Sequence, residues 1–405
     1  MFCARDCLSF NRSFCKKIVL KVKLTGPYWF HYIQYRHRII IASILMALAF
    51  IVVAWGGMTS SLGLQLFGVI LCSTQSGFGE ASFLAFTAFF ESRLALTAWS
   101  SGTGFAGIFG FGWVVFFTIG LKASFELTLL IALVLPVLFA LNFELVLNVP
   151  DIKREVRMSM DEAVAEFNMP TMGSVEGAQT TDEATNPILA DESQRNELSD
   201  TCTPADDGMN RQKAKKEYED KDLSAAAAEM TINERIANTV SLWPFMVPLF
   251  LVYFAEYAMQ SGVWAAMGFP VDSENARNNF YEYSNWMYQL GVLVSRSSGM
   301  FWKADMKALW GMPLLQVMLL LFFILDAYYQ FWYDWSLLTL CFVVGLLGGA
   351  VYVNGFALIS EKVPPQLKEF SLSAASIADS LGIAFSNVAG IFIQKAIYNY
   401  HGISD

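Results

Sequence analysis

Apolar residues gather in nine stretches long enough to cross a membrane: residues 39–57, 62–90, 101–121, 125–147, 239–262, 283–301, 309–331, 335–359 and 370–397. About 20 apolar residues suffice, because a helix rises roughly 1.5 Å per residue through a hydrocarbon core of about 30 Å. Soluble helices keep a polar face, and these stretches have none. The pattern therefore predicts an all-α polytopic membrane protein. Between residues 151 and 235 the pattern disappears, and the sequence turns into Thr, Asp, Glu and Asn with a basic run "RQKAKKEYEDK". Low hydrophobicity and mixed charge predict a disordered or partly helical linker there. Four spans precede it and five follow; two bundles joined by a long hydrophilic loop are how a major-facilitator-like two-bundle transporter fold is arranged, here with an incomplete N-terminal bundle.

The division that follows has five parts. Residues 1–38 form a basic N-terminal segment with the remnant of a membrane helix, and 39–149 a four-span bundle. Residues 150–236 are an acidic cytosolic linker, 237–398 a five-span bundle and 399–405 a tail. No signal peptide opens the chain, since "CKKIVLKVK" is too basic and its apolar run too short.

Composition agrees with the pattern: 55% of residues are hydrophobic and 16% charged, against about 25% charged in soluble domains. The net charge of −9 belongs to the linker, where residues 151–235 hold 20 acidic and 10 basic side chains. It therefore says nothing about a ligand. Lys and Arg near the span ends set the orientation. With the linker cytosolic, that side receives Arg36, Arg38, Arg93, Lys153, Arg154, Arg157, Lys303, Lys307, Lys362 and Lys368. The far side receives Lys122, Arg277 and Lys395. The N-terminus is then cytosolic, and the sequon at Asn11 goes unused.

Four ionisable residues lie within the apolar runs: Glu80, Glu256, Arg296 and Asp379. Charges in a membrane are rare, face a bundle interior, and often mark substrate or proton routes. Glu80 is flanked by Gly77 and Gly79, which admit close neighbours. Arg296 carries a planar donor set suited to phosphate or carboxylate. Each also has a structural reading. Arg296 snorkels or forms an ion pair; Asp379 caps a broken helix with Ser376 or Ser380; Glu80 and Glu256 balance Arg296. Asn354 adds a buried polar group and a fifth candidate for substrate or proton coupling. The run "GTGFAG" (102–107) fits a dinucleotide pattern but opens a span instead of following a strand. Its spacing predicts helix packing through Gly102, Ala106 and Gly110, and "GLLGGAVYVNGF" repeats the device with Gly345 and Gly349. The six Cys and three His form no ligand spacing. No Walker motif or nucleophile elbow appears, so the expectation is no enzyme, no metal, no cofactor and no nucleic-acid partner.

Six runs carry a family resemblance: "SGFGEASFLAFTAFF" (76–90), "WSSGTGFAGIFG" (99–110), "VPLFLVYFAEY" (247–257), "MYQLGVLVSRSS" (287–298), "GLLGGAVYVNGF" (345–356) and "EFSLSAASIADSLGI" (369–383). In order and spacing the chain resembles the battenins, endolysosomal membrane proteins whose loss causes juvenile neuronal ceroid lipofuscinosis. The resemblance implies a major-facilitator-like fold in the lysosomal or late endosomal membrane. It also implies a role in glycerophosphodiester export, basic amino-acid handling, lysosomal pH and autophagy. Battenins carry helices before and within the run matching "IVLKVKLTGPYWFHYIQY"; the first is expected to be missing here and the second a remnant. In the linker "NPILAD" resembles the family's dileucine sorting signal, with Ile188 and Leu189 as its core. The end "HGISD" has no prenylation Cys, unlike some battenins. Two functions follow as expectations. One is a secondary transporter of a small polar or phosphodiester metabolite, with protons on Glu80, Glu256 or Asp379. The other is a membrane adaptor that recruits trafficking proteins through the linker.

Overall fold

The computed structural model describes residues 19–26, 28, 32–90, 92–147 and 231–403. Asn11, most of the linker, Ile188 and Leu189 lie outside the described residues. Twelve α-helices are described. The first, α1, spans residues 19–26; then come α2 (Tyr35–Met58), α3 (Leu62–Phe86), α4 (Ser92–Val115), α5 (Phe125–Ile131) and α6 (Val134–Asn142). After the linker follow α7 (Ile232–Ser241), α8 (Trp243–Ala258), α9 (Glu274–Ser297), α10 (Met306–Tyr329), α11 (Leu337–Lys362) and α12 (Pro365–His401).

All nine predicted stretches are helical, yet they do not all pass as spans. Six helical segments are long and apolar enough by themselves: α2, α4 with its π-helical end, α5 joined to α6, α10, α11 and α12. The pair α7 and α8, bent by 65°, makes a seventh if it is one span. Helices α3 and α9 are long enough to cross but carry more polar residues than the others, so length and composition alone do not single them out. Glu274, Arg277, Glu282 and Arg296 lie on α9, and Gln65, Gln75 and Glu80 on α3. Both helices pack among others, so their polar groups need not face lipid.

Local sequence sets several helix ends. Thr231 accepts from the Glu234 amide while the Glu234 carboxylate accepts from the Thr231 amide, a reciprocal cap on α7. Ser273 and Asp305 accept from the Ala276 and Ala308 amides at the starts of α9 and α10. Helix α12 ends at Gly402, whose φ of 68° suits a residue without Cβ.

Small residues decide how closely helices approach. A Cβ on Gly345 would strike the Tyr288 carbonyl, and one on Gly349 the Ser295 hydroxyl, so α11 lies directly on α9. The other small-residue stripe is corrected. Gly102, Ala106 and Gly110 face outward, and a Cβ on either glycine meets nothing within 4 Å. It is Gly104 and Gly107 that rest on Leu293 and Gln289 of α9. Small residues occur on two neighbouring faces of α4, and spacing alone does not choose between them. Gly345→Ala is accordingly expected to cost about 1–3 kcal/mol, since a carbonyl cannot yield as a side chain would. Gly110→Ala should leave the melting temperature of the detergent-solubilised protein unchanged.

The helices before and after the linker share a core in which Leu84 and Leu96 pack with Leu249, Tyr352, Phe356 and Leu372. Polar ties join the same two groups near one end. Arg93 at the start of α4 donates to the Gly299 carbonyl (2.9 Å) and the Trp302 carbonyl (3.0 Å), and pairs with Glu361 (3.1 Å). Tyr35 donates to Glu369, which also lies 3.8 Å from Arg38.

Candidate functional site

The short helix α1 makes the site possible. It lies against α3 at Gly77, where a Cβ would come within 3.1 Å of the Val19 carbonyl oxygen. With that approach allowed, Lys23 reaches the interior, where it is 1% exposed. Its Nζ lies 2.8 Å from Glu80 Oε2 on α3. It also lies 3.0 and 3.1 Å from the two carboxylate oxygens of Asp379 on α12. Ser380 donates a further hydrogen bond to Asp379 at 3.0 Å. One ammonium thus ties a carboxylate before the linker to one after it.

Tyr352 on α11 connects this cluster to Arg296. Its hydroxyl donates to Glu80 Oε1 at 3.4 Å and accepts from Trp99 Nε1 at 3.2 Å. Its ring lies under the Arg296 guanidinium, 4.1 Å from centroid to Cζ. Arg296 donates to the Thr103 hydroxyl on α4 (2.7 Å) and the Tyr253 hydroxyl on α8 (3.0 Å), and its buried Nε has no hydrogen-bond partner. Among the described residues Arg296 forms no ion pair. It is a cation held by hydroxyls and an aromatic face.

Glu256 on α8 lies on the same inner side, 2% exposed. Tyr288 donates to its Oε1 at 2.8 Å. Its Oε2 makes no hydrogen bond and lies where a Cβ on Gly348 would be. Among the described residues it too has no ion-pair partner.

Three of the four ionisable residues read from the sequence therefore fall into a connected set to which α1 adds Lys23, and Glu256 lies close enough to feel the charges of Arg296 and Asp379. Lys23 was missed, because its run reads as a basic remnant. The clue available was charge balance: three carboxylates, Glu80, Glu256 and Asp379, stand against the single Arg296 in the apolar runs. Tyr253, Tyr288 and Tyr352 were missed as well, since aromatic residues are common in apolar helices. Asp379 does not cap a broken helix, because α12 runs unbroken through it. Asn354 lies apart from the set. Its Oδ1 accepts from the Ala304 amide (3.0 Å) and its Nδ2 donates to the Ala350 carbonyl (3.0 Å), fastening the loop between α9 and α10. Among the described residues no group of three or more His, Cys, Asp or Glu could hold a metal.

A family model described as CLN3 protein matches residues 18–400, which include every residue of this set. The chain belongs to the CLN3 (battenin) family. It is similar to battenin of Canis lupus familiaris, with 33% identity over 92% of this chain and 73% of that protein. Protein btn-1 of Neurospora crassa is 33% identical over 93% of this chain and 78% of its own length. Protein BTN1 of Kluyveromyces lactis is 32% identical over 93% and 82%. Among solved structures, a major facilitator superfamily transporter, FucP, in its outward conformation aligns with TM-score 0.48 and 11% identity, covering 99% of this chain and 90% of that one. This battenin-family chain is thus a multi-pass helical membrane protein. The five charged residues of the set come from α1 and α3 before the linker, and from α8, α9 and α12 after it.

Proposed function

We propose that this chain is a secondary transporter of the lysosomal and late endosomal membrane. It moves a small polar metabolite, with glycerophosphodiesters favoured and basic amino acids the second class, and supports lysosomal pH homeostasis and autophagy. The observation that carries the reading is the ion cluster itself. Lys23 and Glu80 meet Asp379, and Arg296 adjoins them through Tyr352, on helices from both sides of the linker. A merely structural membrane protein has little use for five charges at one junction, three of them (Lys23, Glu256 and Asp379) fully buried. Movement of the two groups against each other would make and break these pairs, as alternating access requires. An anionic phosphodiester suits Arg296, whose partners among the described residues are all neutral.

Arg296→Lys tests the substrate side. It keeps the charge but loses the planar fork and the stacking on Tyr352. Glycerophosphodiester flux into proteoliposomes should fall at least tenfold while abundance stays near that of the unmodified chain. Flux that survives both Lys and Ala would remove Arg296 from substrate binding. An unmodified chain that carries no substrate, yet alters endolysosomal traffic through its linker, would return the adaptor reading.

Location has its own test. Ile188→Ala with Leu189→Ala should move a tagged chain from lysosomes toward the cell surface. Unchanged lysosomal residence would end the sorting role of "NPIL".

A further inference from the structure

The loop between α9 and α10, residues 298–305, joins two long helices by a short connection, the geometry of a turn at a membrane face. Its side chains point outward: Met300 is 57%, Phe301 92% and Trp302 43% exposed. Around them Lys303, Lys307 and Lys362 are exposed as well. The acidic groups beside them are already engaged. Glu361 pairs with Arg93 (3.1 Å), and Asp305 accepts from the Ala308 amide (2.8 Å). Asp305 keeps its negative charge as the cap of α10, so what faces outward is aromatic and net positive, three lysines against one carboxylate.

The backbone of the same loop is fixed. Arg93 holds the Gly299 and Trp302 carbonyls, and Asn354 holds the Ala304 amide. At Gly299 a Cβ would come within 2.5 Å of the Thr97 hydroxyl, so the loop lies tight on α4. A loop pinned on its inner side, with an apolar tip and a ring of lysines, is built to meet a surface.

We infer that the 298–307 segment docks onto the anionic lipid headgroups of the adjacent leaflet, with Phe301 and Trp302 in the interface and Lys303, Lys307 and Lys362 on lipid phosphates and carboxylates. Aromatic side chains settle at the headgroup level. Each lysine near an anionic surface favours it by about fivefold in binding. Because Arg93 ties this loop to α4, docking also braces the junction between the helices before and after the linker. The inference does not depend on the transported substrate.

The test replaces Phe301 with the photo-crosslinker p-benzoylphenylalanine in the full chain, reconstituted in vesicles of equal phosphatidylserine and phosphatidylcholine. Irradiation followed by mass spectrometry counts the adducts. Phosphatidylserine adducts should exceed phosphatidylcholine adducts by about fivefold or more. The ratio should fall to about one in molar salt, where the Debye length is about 3 Å. It should fall likewise when Lys303→Gln, Lys307→Gln and Lys362→Gln are combined in protein that stays monodisperse. Equal adducts with the lysines intact would overturn the docking. So would crosslinks to protein in place of lipid. Loss of the preference on adding millimolar inorganic phosphate at constant ionic strength would mark a soluble-phosphate site and overturn it too.

Discussion

Lys23→Met is expected to destabilise the protein by about 3–5 kcal/mol, the usual cost of removing one partner from a buried ion pair. The reason is what stays behind. Glu80 and Asp379 would converge on the place vacated by the ammonium, 2.8 and 3.0 Å from its former position, with no cation between them. Their pairing in the native protein returns part of the desolvation they suffer; without Lys23 that desolvation is uncompensated. Glu80 keeps a flank that is 26% exposed, so solvent softens its share, whereas Asp379 at 4% has no such relief. Asp379→Asn added to Lys23→Met should therefore recover more stability than Glu80→Gln added to it. Neutralising all three should recover most of the loss, because a buried pair replaced by uncharged groups of similar volume is often tolerated. The measurement is the thermal melt of purified protein in detergent. A Lys23→Met protein that melts with the unmodified one would show that the cluster is not held by its charges.

That cluster marks the boundary of what the sequence discloses. Long unbroken apolar stretches announce helices because, apart from a closed barrel of alternating strands, nothing else satisfies a backbone in lipid, and every stretch from 39 to 397 is helical in the structure. Charged residues inside those stretches announce a site by their cost alone, and Glu80, Glu256, Arg296 and Asp379 do meet on an inner surface. The partners are another matter. Lys23 lies in a run that resembles a positively charged flank, and only the approach of α1 to Gly77 turns it inward. Gly102, Ala106 and Gly110 have ideal packing spacing yet face outward, because periodicity gives a stripe and not its direction. Asn354 is as buried as Glu256, but its bonds go to backbone, which no spacing reveals.

Glu256→Gln is expected to fold and reach its membrane, and to abolish the pH dependence of substrate flux. A carboxylate facing lipid would be opposed by roughly 2.5–3.5 kcal/mol on insertion scales. Glu256 avoids that by facing inward, onto Tyr288 and Gly348. Its position in the charge balance is what singles it out. Lys23 and Arg296 offer two positive charges against three carboxylates: Glu80, Asp379 and Glu256. Two of those carboxylates share Lys23, and among the described residues Glu256 has one phenol and no ion pair. A single proton on Glu256 makes the whole set neutral, so binding and releasing that proton is the least costly way for the set to change charge as the halves move. Gln keeps an oxygen for the Tyr288 hydroxyl and fixes the neutral form, which explains why folding should survive and pH sensing should not. Glu256→Lys is the harsher change. It adds a third cation beside Arg296 and removes the acceptor of Tyr288, so folded protein should fall by at least tenfold. Flux through reconstituted vesicles, measured across a series of lumenal pH values, decides the matter. A Gln variant with the unmodified pH profile would leave Glu256 as a packing group against Gly348 and move proton coupling to Glu80 or Asp379.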